Sequence, residues 1–209
     1  MDIFVGAWGW KHDAWGKDQF YPDDLPADWR LSYYSNEFDM VVIPADYWAS
    51  GDLEQEDWLD DVDDEFEFYL QWPLSNIDDS SLAKCLAFID EAGDQVVALL
   101  IDQLQWLDAT EQQRQVLEEL SGKVKVRYYQ AADAPSSFVC EDEQMISSSD
   151  ILLLCSDENE SLRELTVRLQ TLIKKQAIKR IILMPAVEAD EPSMARLKEL
   201  ATLVALLAT

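Results

Sequence analysis

The sequence predicts an α/β protein built as a compact TIM-like (β/α)8 barrel, on three observations. Short β-branched or aromatic runs alternate with helix-period stretches along the chain, which indicates parallel strands joined by crossover helices. About eight such runs occur, the number a closed barrel of this type needs. The chain has 209 residues, whereas these barrels typically run to about 250, so the expected barrel is pared down. An open doubly wound sheet is the rival architecture, which periodicity alone does not reject.

The elements follow in order. Ile3–Val5 reads as the first strand and Asp28–Glu37 as a helix, with Asp28 able to cap it and Trp29, Tyr33 and Tyr34 on one face. Met40–Ile43 is the second strand. After a short acidic helix near Leu53–Leu59 comes the third, Glu65–Leu70. Helix Asp78–Ala92 stops at Gly93, a residue suited to a left-handed C-terminal position. The unbroken apolar run Val96–Ile101 reads as a strand covered on both faces. Thr110 is placed to cap a helix reaching Leu120, before Gly122. Strand Val124–Tyr129 follows, then candidates at Phe138–Cys140 and Ile151–Leu154 with too little chain after Tyr129 for a full helix. The helix between the fifth and sixth strands is therefore expected to be reduced or missing. Helix Glu160–Gln176, strand Ile181–Met184 and helix Ser193–Leu207 complete the series. No repeat or linker marks a boundary, so residues 1–209 are read as one domain.

Charge narrows the partners. The chain holds 42 acidic and 16 basic side chains, a net −26. Residues 1–70 contribute 19 acids against only Lys11, Lys17 and Arg30. A phosphate backbone or an anionic leaflet must be met by Lys and Arg, so neither nucleic acid nor membrane is an expected partner. With 48% hydrophobic residues and eight Trp, the chain has the apolar surface a core requires. The N-terminus shows no basic region followed by an apolar stretch, and no apolar run approaches about 18 residues. Three scattered cysteines, Cys85, Cys140 and Cys155, fit reduced thiols. A soluble, cytoplasmic protein is expected, with a monomer as the simplest state.

The N-terminal segment is the most specific part of the sequence. Gly6, Gly9, Trp10, Trp15, Gly16, Phe20-Tyr21-Pro22, Leu25-Pro26, Tyr33-Tyr34 and Phe38 fall in a pattern that resembles the opening of the domain-of-unknown-function 72, or YecE-like, family. The resemblance implies a TIM-like barrel and so favours the barrel over the open sheet. It implies no particular activity, because none is established for that family. Beyond residue 40 it rests mainly on hydrophobic pattern. Val42 and Pro44 stand where the family usually has Glu and Asn, while Tyr47-Trp48 keeps its aromatic pair. Gln71 stands in place of a Lys. Val126-Arg127-Tyr128-Tyr129 lacks the acid of the fifth strand, and Leu152-Leu-Leu-Cys-Ser and Leu183-Met-Pro-Ala lack the family's later His and Asn residues.

In a barrel, chemistry sits where the strands end at their C-termini, and there this chain offers few catalytic groups. His12 is the single histidine, and no Gly-x-Ser-x-Gly turn supplies a nucleophile for it. A structural or rim role suits it better than a general base. No glycine follows Gly122, so a glycine-built phosphate corner is not expected. Gly6-x-x-Gly9 lacks a dinucleotide fingerprint's third glycine, and no cofactor is predicted. Asp46, Asp102 and Glu188 follow strands and have the oxygen chemistry of a Mg²⁺ or Ca²⁺ site, but a solvated rim explains them as well, and no metal is predicted.

Asp46 and Asp102 are the candidate catalytic pair, an acid and a base as in glycoside hydrolysis. Trp10, His12, Trp15, Tyr47, Gln71, Trp72 and Tyr128 are the candidate ligand-binding residues, alongside Trp8 and Trp48. The favoured account of the aromatics is packing over the barrel mouth, ahead of sugar or cation binding. The run Asp52–Glu67 holds ten acids and no base. It reads as a solvated surface or as a dock for a basic protein partner. Lys174, Lys175, Lys179 and Arg180 lie near a helix C-terminus, where its dipole accounts for them. The expected function is a non-catalytic or degenerate barrel that binds a small polar ligand or a protein partner. The alternative is a hydrolase of sugar-like metabolites that uses Asp46 and Asp102 over Trp10 and Trp72.

Overall fold

The computed structural model describes residues 2–17, 19–49, 56–72, 79–102, 109–129, 151–156, 159–175, 180–185, 187–188 and 191–207. They fall into two compact units. One comprises Met1–Trp8, His12–Asp24 and Gln130–Thr209, and the other Gly9–Lys11 and Leu25–Tyr129.

The second unit is built on a four-stranded parallel sheet of β2 (Met40–Ile43), β3 (Glu67–Gln71), β4 (Val96–Asp102) and β5 (Lys125–Tyr129), in that order. Val42 lies beside Tyr69, Tyr69 beside Ala98, and Leu100 beside Arg127. All four residues of β2 are buried, as are Ala98–Ile101, so both faces are covered as the apolar runs require. The connections are helical: α1 (Arg30–Ser35), α2 (Ala45–Ala49), α3 (Glu56–Asp60), α4 (Asp79–Ala92) and α5 (Glu111–Ser121). Helix α4 ends where expected, with Gly93 at φ +54°.

The first unit carries a three-stranded parallel sheet, β1 (Asp2–Val5), β7 (Arg180–Pro185) and β6 (Ile151–Ser156), with β7 in the middle. Helix α6 (Leu162–Lys175) packs on α7 (Met194–Leu207), which covers β7 and β1 through Leu197 and Leu200. A two-residue hairpin, β8 (Val187–Glu188) with β9 (Glu191–Pro192), precedes α7 and was not apparent from periodicity. The expected strand Phe138–Cys140 and the shortened connection before β6 lie outside the described residues.

Two local expectations need correction. The helix predicted from Asp28 begins as a 3-10 turn over Ala27–Trp29 and becomes α-helical only at Arg30; no side chain caps either start. Trp29 does not share the buried face of Tyr34. It is 65% exposed, and Leu31, Tyr34 and Phe38 pack inward instead. The shift of register explains both, because a 3-10 turn advances 120° per residue and rotates Trp29 away from the following α-helical stripe.

Capping, by contrast, follows sequence closely. Thr110 Oγ1 accepts the Gln113 N–H at 3.3 Å while Gln113 Oε1 accepts the Thr110 N–H at 2.7 Å, a reciprocal box at the start of α5. Ser161 and Glu164 repeat the box on α6, and hydrogen bonds from Ser161 hold the Glu164 carboxyl below its ordinary range. Thr110→Ala should therefore cost about 1 kcal/mol in urea unfolding with an unchanged m-value.

Aromatic packing organises the second unit. Seven rings form a continuous edge-to-face series, Tyr47–Trp10–Trp58–Phe88–Phe68–Phe66–Tyr34, with centroids 5.1–6.4 Å apart and planes 69–87° to one another. This is the arrangement that the ring quadrupole favours. Trp58 pins the acidic helix α3 into the series, while Asp60, Asp63, Asp64 and Glu65 stay exposed.

Candidate functional site

The strand ends of the second unit hold most of the predicted ligand-binding residues. Pro44 follows β2, and α2 starts at once, bringing Asp46, Tyr47 and Trp48 onto one short turn. Gln71 closes β3, and its carboxamide oxygen accepts the Ala45 N–H at 3.0 Å, tying the two strand ends together. The Trp48 indole donates to the Gln71 carbonyl at 3.0 Å and stacks on Trp72 at 5.2 Å. Trp72 is buried, and among the described residues nothing accepts from its indole N–H.

Gly9–Lys11, which belong to the second unit, lie at the same place. Gly9 donates to the Val42 carbonyl at 2.7 Å and holds φ +71°, a left-handed conformation that costs glycine little. A Cβ there would stand 2.6 Å from Tyr47 Oη and 3.2 Å from Pro44 Cγ. The backbone then places the Lys11 N–H 3.0 Å from Tyr47 Oη, which accepts it. Trp10 is 1% exposed, edge-on to both Tyr47 and Trp58. Lys11 Nζ lies 5.4 Å from the Tyr47 ring centroid and 5.9 Å from that of Trp10. Burial raises the Tyr47 phenol to about 12, with the Asp46 charge adding to this and the Lys11 and Trp10 amides and Arg30 opposing it.

Of the predicted catalytic pair, Asp46 is exposed in the first turn of α2. Asp102 is the last residue of β4, paired in register with Tyr129. Its side chain, like those of Tyr128 and Glu188, lies outside the described ones.

His12 and Trp15 belong to the first unit. His12 Nε2 lies 2.6 Å from the Trp8 carbonyl, to which it must donate, and its ring packs on Trp15 at 4.4 Å. Trp15 is buried, with its carbonyl accepting the N–H groups of Phe20 and Tyr21. The Trp-Gly and Phe-Tyr-Pro positions of the N-terminal pattern therefore build a turn.

An aromatic N-terminal turn fixed by buried Trp10 and Trp15, followed by parallel strands in α/β order, invites comparison with known families. A family model described as "Protein of unknown function DUF72" matches residues 4–208. The chain belongs to the DUF72 family. No curated protein and no solved structure matches it. The resemblance read from Gly9, Trp10 and Trp15 thus extends over nearly the whole of this chain.

One strand-end cluster in this DUF72 chain escaped sequence reading. Ser156 ends β6 fully buried, and Arg196, from the first turn of α7, is 4% exposed beside it. The Arg196 guanidinium donates from Nε and Nη2 to Ser156 Oγ, from Nη2 to the Glu160 carbonyl at 2.7 Å, and from Nη1 to Glu199 Oε2 at 2.8 Å. Ser156 Oγ donates to Glu160 Oε2 at 2.9 Å, which also accepts from Arg168 Nη2 at 2.8 Å. The sequence signal was Ser193: its hydroxyl accepts the Arg196 N–H at 3.3 Å as an N-cap, which puts Arg196 in the helical turn nearest the strand ends. Two guanidiniums and two carboxylates neutralise one another here, an arrangement suited to holding elements in place.

Among the described residues no helix is long and apolar enough to cross a membrane. Cys85 and Cys155 are free and buried. Burial pushes the Cys85 thiol to about 12 and raises Cys155 further, which keeps both as unreactive thiols.

Proposed function

We propose that this chain is a compact, single-domain DUF72 barrel that binds a small polar ligand at the ends of β2 and β3 and performs no catalysis. The observation that carries this is burial: Trp10 and Trp72, the platform a sugar hydrolase would need, are 1% and 2% exposed and packed against Trp58 and Trp48. Stacking on a sugar requires an open ring face, and these faces are spent on the core. Asp46 is exposed in the first turn of α2, outside any enclosed pocket among the described residues. The polar groups that remain around Tyr47 and Gln71 can orient a ligand. The buried thiols suit a reducing cytoplasm.

The test is turnover. Purified protein incubated with a panel of aryl glycosides and esters should release no more product than buffer does. Turnover that Asp46→Asn and Asp102→Asn each abolish, with the melting temperature held, would establish the hydrolase instead.

A further inference from the structure

The Tyr47 hydroxyl has a donor role that nothing among the described residues uses. Its oxygen accepts the Lys11 N–H, yet among the described residues no group accepts its proton. A half-buried phenol with an idle proton is costly, and native structures seldom keep one without a partner. Burial holds the phenol in its protonated form throughout the physiological range, so it is a donor there at all times.

Lys11 stands beside it in a similar condition. In a chain with 42 acids, its exposed ammonium has no carboxylate partner among the described residues. It is held instead over the faces of Tyr47 and Trp10. A cation over two rings keeps its three N–H donors available. The left-handed Gly9 turns the following amides toward Tyr47 Oη, and Arg30 adds positive potential at the same ring.

We propose that Lys11 Nζ and the Tyr47 hydroxyl together bind an oxyanion, the carboxylate or phosphate group of a small metabolite, at the end of β2. Both groups are donors without a described acceptor, and an oxyanion accepts from both. Lys11 supplies the charge and Tyr47 the direction. This rests on the reading of the β2–β3 end as a ligand site and names the chemistry that site recognises.

Titration of the ¹⁵N-labelled full chain with sodium acetate and with inorganic phosphate, at constant ionic strength, tests it. Saturable shifts of the Trp10 and Lys11 amides are expected, with the tighter anion identifying the ligand class. Lys11→Met and Tyr47→Phe should each weaken binding roughly tenfold, the loss of one charge-assisted hydrogen bond. Lys11 is exposed and Tyr47→Phe removes a single oxygen, so both variants should melt near the parent. Absence of saturation with either anion overturns the proposal, as does unchanged affinity in both variants or an equal response to neutral acetamide. Saturation by acetamide alone would sink the oxyanion while sparing the non-catalytic ligand site; glycosidase turnover would do the reverse.

Discussion

Arg196→Met should lower stability by about 3 kcal/mol, a fall in melting temperature on the order of 10 °C for a chain this long. The substitution preserves most of the buried volume but strips partners from Ser156 Oγ and the Glu160 carbonyl, both inside the first unit. Stripping one side of a buried polar network costs more than the net value of the network, because the groups left behind stay dehydrated. The Glu160 carboxylate would keep its ion pair with Arg168, so the loss falls on the hydroxyl and the carbonyl. Arg196→Lys should recover little, since an ammonium cannot reproduce the fork that reaches Ser156 and Glu199 together. Glu199→Ala is the control. Its carboxylate is 55% exposed, so its loss should stay within roughly 0.5 kcal/mol. Urea midpoints at constant m-value decide the ordering, and a loss below about 1 kcal/mol for Arg196→Met would show that the cluster does not hold the strand end.

Gly9→Ala should cost about 3 kcal/mol by two separable mechanisms. The left-handed conformation, at φ +71°, charges an L-residue roughly 1–2 kcal/mol. The added methyl also meets Tyr47 Oη at 2.6 Å and Cζ at 3.0 Å, so the ring must move and the Lys11 N–H loses its acceptor. Adding Tyr47→Phe removes the closest of these contacts. The double variant should therefore regain about 1 kcal/mol, a coupling that thermal melts of the four proteins will report. Strict additivity would show that backbone strain alone sets the cost.

What was legible in the sequence follows from which forces act locally. The apolar run Val96–Ile101 and the Thr110 cap needed only neighbours in the chain to declare themselves, and both lie where expected. Family membership was equally legible, because the Gly, Trp and Phe-Tyr-Pro positions that carry it fall within one short stretch of sequence, where Trp15 accepts from the nearby Phe20 and Tyr21 amides. Trp29 misled for the opposite reason: size suggested burial, whereas a 3-10 start rotated it outward. Arg196 was passed over because charged residues are so seldom fully buried, and its partners Ser156 and Glu160 lie 40 and 36 positions away. Lys11 was overlooked among the tryptophans around it. That it meets no carboxylate among the described residues depends on where the acids come to rest, which sequence order does not convey.

The edge-to-face series from Tyr47 to Tyr34 has an optical consequence. Rings locked at fixed angles in a chiral framework generate near-ultraviolet circular dichroism, and that signal vanishes when side-chain packing loosens even if the helices persist. Trp10 and Trp58, perpendicular at 5.1 Å, are strongly absorbing members of this array. A disturbance at Tyr47 passes to Trp10 by direct contact, so the β2 end of the second unit is joined to its own spectroscopic reporter without any label.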